Sequence, residues 1–349
     1  MTAGRNANPM IVLTNNLTDR PDEGNLKVTS SLIKRLKAFY PQTEIVTYQN
    51  RHQLGDCHMN VTNLMLSADL MKHIRRKKES VLYCAAPARM LFAAIRTFVV
   101  SFYARGRVAV ILTMYISEIS AIPKGLMKLS RAKIIVLCKD MCREYRRQFK
   151  NDVFYVKAGI DTKKYTTVDL AAKKMLRRKY GVPEDKPVVL HVGHLQEGRN
   201  IRTLLSLDES IHVVLVTSTY EYDRRDMLLR EALTKRRNIT LIEDYVADIQ
   251  EIYQMSDVYF FPVMNEKNCI SVPLSVLEAA ACNLPVVCTE FGELKQFKGN
   301  DGFFFIDSFE PENINHLVKN ALQSKADTRS CVLEYDWEQA TRSIMQIIQ

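Results

Sequence analysis

The sequence predicts an α/β protein built from two doubly wound parallel sheets, and three observations predict it. Short apolar runs rich in Val, Ile and Leu recur along the chain, and each is followed by a segment whose apolar residues return every three to four positions. Alternation of that kind belongs to parallel sheets covered by helices on both faces. It is interrupted once, by the polar segment KAGIDTKKYTTVD at 157 to 169, and then begins again in a chain of 349 residues, too long for one core.

The elements follow in order. The first half carries strands at 10 to 14, 44 to 48, 81 to 84, 108 to 113, 133 to 137 and 153 to 156. A helix after Gly24 places Leu26, Leu32, Ile33, Leu36 and Phe39 on one face, and further helices fall near 62 to 78, 88 to 104 and 139 to 149. After the 157 to 169 linker and a basic helix at 170 to 180, strands recur at 187 to 191, 211 to 216, 239 to 242, 257 to 261, 285 to 288 and 303 to 306. Their helices lie near 200 to 207, 224 to 235, 247 to 255, 273 to 282 and 311 to 323. The expected domains are 1–165 and 166–330, with residues 331–349 as a terminal helix returning to the first. Ligands of such sheets bind beyond the carboxyl ends of the strands, which places the chemistry in a cleft between the domains.

Composition narrows the class. With 47% hydrophobic and 25% charged residues the chain is ordinary folded material. Eight cysteines lie mostly in apolar runs without a CxxC or Cys/His metal pattern, as reduced cytoplasmic thiols do. The start of the chain lacks a signal-peptide layout, and no apolar stretch is long enough for a bilayer span. The net charge of +10 is concentrated in three runs, at Lys72 and 75 to 78, at 143 to 150 and at 173 to 179. An anionic partner suits this excess. Nucleic acid is not expected, because no recognition motif or aromatic interleaving accompanies the basic runs. The apolar segment 88 to 104, punctuated by Arg96 and flanked by Arg89, Arg105 and Arg107, adds peripheral contact with an anionic membrane face to the expected partners.

Two segments carry chemistry. In SVPLSVLEAAACNLPVVCTE, 271 to 290, a helix apolar nearly all round leads into a buried strand, and Ser271, Ser275, Glu278 and Cys282 form its one polar seam. A carboxylate placed there requires partners, either structural ones such as backbone amides or a buried Arg, or the hydroxyl pair of a ligand. In HVGHLQEGRN, 191 to 200, Gly193 permits a tight turn at a strand end, and Arg199 opens the following helix with a fixed cationic fork suited to a pyrophosphate.

Together, VGHLQEGRN, ITLIEDYVADIQEIYQMSDVYFFP (239 to 262) and PLSVLEAAACNLPVVCTEFGEL (273 to 294) resemble the C-terminal domain of the retaining GT-B glycosyltransferases of family 4, the glycosyl transferases group 1. The resemblance implies a GT-B fold, a nucleotide-sugar donor held by the second domain, an acceptor held by the first, no cofactor, and transfer without a metal ion. Arg199 falls where the family has the Lys that stabilises the donor diphosphate, and Glu278 where its second Glu holds the ribose hydroxyls. These two are the expected catalytic residues. Gly24, Gly193, His194 and the amides of Leu274 and Ser275 complete the diphosphate site, and Tyr245 borders the base. Glu266, Asn268, Ser271 and Tyr115 are the candidates for the donor sugar or the acceptor.

The departures are specific. Ile270 stands where the family's first Glu meets the transferred sugar, His194 replaces a phosphate-binding Arg, Pro273 replaces a Gly, and Tyr115 stands near the usual His of the first domain. The expected activity is retaining transfer of a sugar from a nucleotide-sugar to a sugar, lipid-linked or other small acceptor. Another GT-B enzyme, such as an epimerase, and a non-catalytic nucleotide-sugar-binding protein are the alternatives.

Overall fold

The apolar runs become strands, and every pairing between them is parallel. The structure, a computed structural model, describes residues 9–15, 17–21, 23–49, 54–85, 89–116, 118–217, 226–264 and 269–349. The chain divides into two units, one of residues 1–159 with 337–349 and one of residues 160–336.

In unit 1 the strands are β1 (Met10–Thr14), β2 (Glu44–Tyr48), β3 (Cys57–Met59), β4 (Ser80–Ala85), β5 (Val108–Leu112), β6 (Lys133–Val136) and β7 (Val153–Tyr155). They form one sheet in the order β3-β2-β1-β4-β5-β6-β7. Its helices are α1 (Gly24–Phe39), α2 (Ala68–Lys77), α3 (Met90–Ala104), α4 (Ala121–Ser130), α5 (Lys139–Gln148) and, from the end of the chain, α12 (Trp337–Ile348). Strands β1 and β5 are buried along their whole length, as strands covered on both faces must be. Helix α12 packs on α1, β5 and β6 through a buried stripe that includes Trp337, Ile344, Met345 and Ile348.

Unit 2 contains α6 (Leu170–Lys179), β8 (Val188–Val192), β9 (His212–Val216), α7 (Met227–Thr234), β10 (Ile239–Ile242), α8 (Ile249–Met255), β11 (Val258–Phe261), α9 (Leu274–Ala281), β12 (Val286–Cys288), β13 (Phe303–Phe305), α10 (Pro311–Gln323) and α11 (Thr328–Val332). The strand order β10-β9-β8-β11-β12-β13 is the doubly wound one, with the direction reversing between β8 and β11. Val189, Val213, Leu215, Val258, Phe260 and Val287 form the centre of its core.

Four sequence expectations are corrected. The units meet at 159/160 and 336/337 rather than at 165/166 and 330/331. The reason is that 160–165 is no free linker: Ile160 donates its N–H to the Tyr335 carbonyl at 2.7 Å, and Arg329 donates to the carbonyls of Thr162 and Tyr165 at 3.0 and 2.8 Å. The helix expected from 62 begins at Ala68, where the Ser67 hydroxyl accepts the Leu70 N–H at 3.3 Å and caps it. The short elements β3, α4 and α11 were not anticipated. The helix expected at 200 to 207 is a 3-10 segment, Ile201–Ser206.

Of the three basic runs, two are engaged within their own unit. In α6, Arg177 is 6% exposed, donates to the carbonyls of Met255, Glu184 and Lys186, and pairs with Asp257 at 2.6 Å. Lys173 also pairs with Asp257 at 2.6 Å, Arg178 with Glu184 at 2.6 Å and Lys179 with Glu251 at 2.5 Å. In α5, Arg143 pairs with Asp140, Arg147 with Glu144, and Arg146 donates to the Val153 carbonyl.

Candidate functional site

The residues singled out in unit 2 converge where β8 and β11 part. Their ladder holds only Val189 opposite Val258 and Leu190 opposite Tyr259. Beyond it side chains bridge the gap: His191 Nδ1 donates to the Phe260 carbonyl at 2.8 Å, and the Tyr259 hydroxyl donates to the Val192 carbonyl at 3.3 Å. The two rings lie nearly parallel, 6.4 Å apart. Because a carbonyl only accepts, Nδ1 carries the proton in the neutral ring and Nε2 is left as an acceptor. Burial pulls the His191 pKa down to about 4, and the charge of Arg199 acts in the same direction. Nε2 is buried with no partner.

Gly193 follows directly. A Cβ at this position would lie 2.8 Å from Arg199 Nη1 and 2.9 Å from His191 Nε2, so only glycine lets both groups press against the backbone. Arg199 ends a single 3-10 turn, Glu197–Arg199, and Asn200 after it is left-handed at φ 56°. That residue interrupts the path into an α-helix, and the Thr203 hydroxyl, bonded to the Asn200 carbonyl at 2.8 Å, holds the next turn tight. The positive end of the expected α-helix is therefore missing here, and the guanidinium supplies positive charge in its place. It is 9% exposed and its Nε has no partner. A buried guanidinium nitrogen without a partner is costly; it is the arrangement expected where an anion completes the shell. His194 is half-buried next to Gly193 and accepts the Gln196 N–H through its carbonyl at 3.0 Å.

The second wall follows β11. Pro273 is the N-cap of α9 rather than a residue of its first turn, and the helix starts at Leu274. The amides of Leu274 and Ser275 belong to the first turn, where N–H groups have no acceptor within the helix. Arg199 reaches this wall electrostatically: burial raises the pKa of Cys269, and the Arg199 charge opposes the rise. Ser271 is 6% exposed, with its carbonyl accepting the Glu293 N–H at 2.9 Å. Gly292, at φ 49°, makes that contact possible, since a Cβ would sit 2.2 Å from the same carbonyl.

Glu278 is 4% exposed. Tyrosines are among its partners. The Tyr253 hydroxyl donates to Oε2 at 2.9 Å, and Tyr165 is hydrogen-bonded to the same carboxylate. Burial, followed by the charge of Glu278, pushes the pKa of both tyrosines well above its usual range, so both remain donors. Tyr259 accepts from Ser275, one turn before Glu278. The polar seam of α9 is thus lined by Tyr165, Tyr253 and Tyr259.

The remaining candidates lie apart. Tyr245 is half-buried in the turn between β10 and α8. Ile270, which the sequence resemblance sets where an acid was expected, is 6% exposed. Glu266 and Asn268 lie outside the described residues. Gly24 and Tyr115 belong to unit 1: Gly24 is the first residue of α1 rather than part of the preceding turn, and Tyr115, after β5, stacks on Tyr145 at 6.2 Å. His191 and the three seam tyrosines were missed by sequence reasoning. The signal for His191 was a titratable residue inside the apolar strand VVLHV; for the tyrosines no local pattern exists, because they come from three separate segments.

Residues 186–324, within the second unit, match the family "Glycosyl transferases group 1". A comparison with curated sequences finds no match. Among solved structures, a glycosyltransferase from Rickettsia africae is similar with a TM-score of 0.76 at 13% identity, covering 99% of this chain and 98% of that one. Anabaena HepE in complex with UDP-glucose gives 0.74 at 15% identity, covering 97% and 99%. WaaG, a glycosyltransferase involved in lipopolysaccharide biosynthesis, gives 0.67 at 17% identity, also covering 97% and 99%. The chain has the GT-B fold.

Proposed function

We propose that this protein is a glycosyltransferase that takes a sugar from a nucleotide-sugar bound by unit 2 and passes it to an acceptor with retention of configuration and without a metal ion. The observation that carries the reading is Arg199: a buried guanidinium with an unpartnered Nε, pressed against Gly193 at the strand-order reversal of a unit matching the glycosyl transferases group 1. Arg199 and the first-turn amides of Leu274 and Ser275 receive the diphosphate and stabilise the charge that develops as it leaves. Glu278 takes the ribose hydroxyls, and Tyr245 borders the base. In front-face transfer the C–O bond to the diphosphate breaks as the acceptor oxygen attacks the same face, and the leaving phosphate takes the acceptor proton. HepE has been captured with UDP-glucose, which makes uridine diphosphate sugars the first donors to try.

Release of nucleoside diphosphate from a panel of sugar nucleotides, with and without sugar acceptors, tests the reading. Activity is expected to survive EDTA, and Arg199→Ala is expected to lower turnover by about 10²-fold or more. One observation favours a second reading, a binding protein without turnover: Ile270 offers nothing to the transferred sugar. Donor that binds but is neither transferred nor slowly hydrolysed would establish that second reading.

A further inference from the structure

A neutral imidazole is an unusual neighbour for a phosphate. The His191 ring is 0% exposed on β8, two residues before Gly193 and therefore on the same side of the strand. Gly193 brings the ring and the guanidinium to one place, since a single Cβ there would meet His191 Nε2 at 2.9 Å and Arg199 Nη1 at 2.8 Å. The Nδ1 proton is committed to the Phe260 carbonyl at 2.8 Å, so Nε2, with its lone pair, is the ring atom turned to Gly193 and Arg199. Among the described residues neither Nε2 nor Arg199 Nε has a partner.

An unmatched acceptor next to an unmatched donor admits two kinds of guest. A hydroxyl or a water accepts from Arg199, donates to Nε2 and leaves the ring neutral. A phosphate oxygen only accepts, and it meets Nε2 only if the ring carries a second proton. Charge favours the phosphate. A diphosphate diester carries two negative charges against the one positive charge of Arg199; the 3-10 turn Glu197–Arg199 supplies no α-helix end, and the amides of Leu274 and Ser275 add dipoles rather than a whole charge. Around the ring, Arg199 is the charge that opposes protonation. Tyr259, parallel to the ring at 6.4 Å, and Cys269, within the field of Arg199, are both kept neutral by burial. One negative charge at about 4 Å, with an effective dielectric constant of about 20, shifts such an equilibrium about a thousandfold. That is enough to carry protonation from about 4, where burial and Arg199 hold it in the empty site, to neutrality.

We propose that His191 couples diphosphate binding to a proton: the empty site keeps the ring neutral, and the arriving donor draws a proton from solvent onto Nε2, which then donates to a phosphate oxygen next to Arg199. The inference rests on the reading of unit 2 as the donor domain. Because the occupied site holds one proton more than the empty one, donor affinity rises as pH falls. Departure of the diphosphate returns the proton to solvent, so acid retards product release and alkali hastens it.

Calorimetry of UDP-glucose, ADP-glucose and GDP-glucose binding to the whole protein, each in two buffers of different ionisation enthalpy, tests it. The diphosphate diester of these ligands does not itself titrate near neutrality. Uptake of about one proton is expected with any of them that binds, and its affinity should rise about tenfold between about pH 8 and pH 6. His191→Gln, which keeps an N–H for the Phe260 carbonyl, should abolish both effects, whereas His194→Gln should retain them. Nitrogen NMR of the unaltered protein reads the same step without a variant: the His191 ring should carry one N–H when free and two in the complex. Binding without proton uptake, or uptake that persists in His191→Gln, would overturn the inference and leave the donor site standing. A ring that stays neutral in the complex would also overturn it, assigning Nε2 to a ligand hydroxyl or a water. If none of the three ligands binds, the donor reading fails and the inference fails with it.

Discussion

At the scale of single residues, the β8–β11 junction concentrates polar groups that the unit's own atoms leave unsatisfied. His191 Nε2 and Arg199 Nε are both buried and unpartnered on either side of Gly193. Gly193→Ala should therefore push the guanidinium off its seat. Calorimetry should find affinity for a nucleoside diphosphate reduced by an order of magnitude or more while affinity for the nucleoside is kept; equal losses for both would mean that Arg199 does not meet the diphosphate. His191 also makes stability depend on pH. Its folded pKa of about 4 lies below the ordinary 6.5, so between those values the unfolded chain binds the extra proton. The stability is complete above pH 6.5 and is lost as pH falls to about 4, a change on the order of 3 kcal/mol. His212, also lowered by burial, adds to the same window. His191→Gln, which keeps an N–H for the Phe260 carbonyl, should flatten most of the acid slope in urea unfolding between pH 6.5 and 4.

At the scale of elements, α9 shows how far a linear pattern reaches. The stripe of Ser271, Ser275, Glu278 and Cys282 was legible because helical periodicity is a property of adjacent residues, and the helix is buried all round as that pattern implies. Its partners were not legible. Tyr165 comes from the segment read as a linker, Tyr253 from α8 and Tyr259 from β11, and only the fold brings them together. The same limit applies to the 3-10 segment at 201–206, since a left-handed Asn200 leaves the apolar spacing of a helix intact while changing its hydrogen bonding. Strands other than the half-buried β3 were, by contrast, legible almost to the residue, since buried parallel strands are continuous apolar runs. For α9 the tyrosine seam implies a structural cost to altering the carboxylate. Glu278→Gln should leave one tyrosine hydroxyl facing an amide nitrogen, at about 1 to 3 kcal/mol of ligand-free stability. Adding Tyr253→Phe should return part of that loss without restoring nucleotide affinity. If the pair regained both, the carboxylate would serve the seam alone.

At the scale of the whole molecule, the two units differ in how the chain encloses them. Unit 2 is one continuous stretch, 160–336, closed on itself where Ile160 pairs with Asp336 and donates to Tyr335. Unit 1 is discontinuous and depends on α12, whose Trp337 ring lies so close to Gly159 that a Cβ there would be 2.4 Å from it. Helix α12 buries Trp337, Ala340, Ile344, Met345 and Ile348, each large aliphatic or aromatic side chain being worth about 1.5 to 3 kcal/mol, against a typical domain stability of about 5 to 15 kcal/mol. Ending the chain after residue 336 should therefore unfold unit 1 and leave unit 2 intact. Denaturant titration of the full chain should show two transitions rather than one, and the truncated chain should keep only that of unit 2. Residues 160–336 expressed alone should fold and bind the nucleoside diphosphate through Arg199, yet release no sugar to an acceptor. If the isolated segment folded but bound no nucleotide, the donor site would require residues of unit 1, and Gly24 would be the first of them to test.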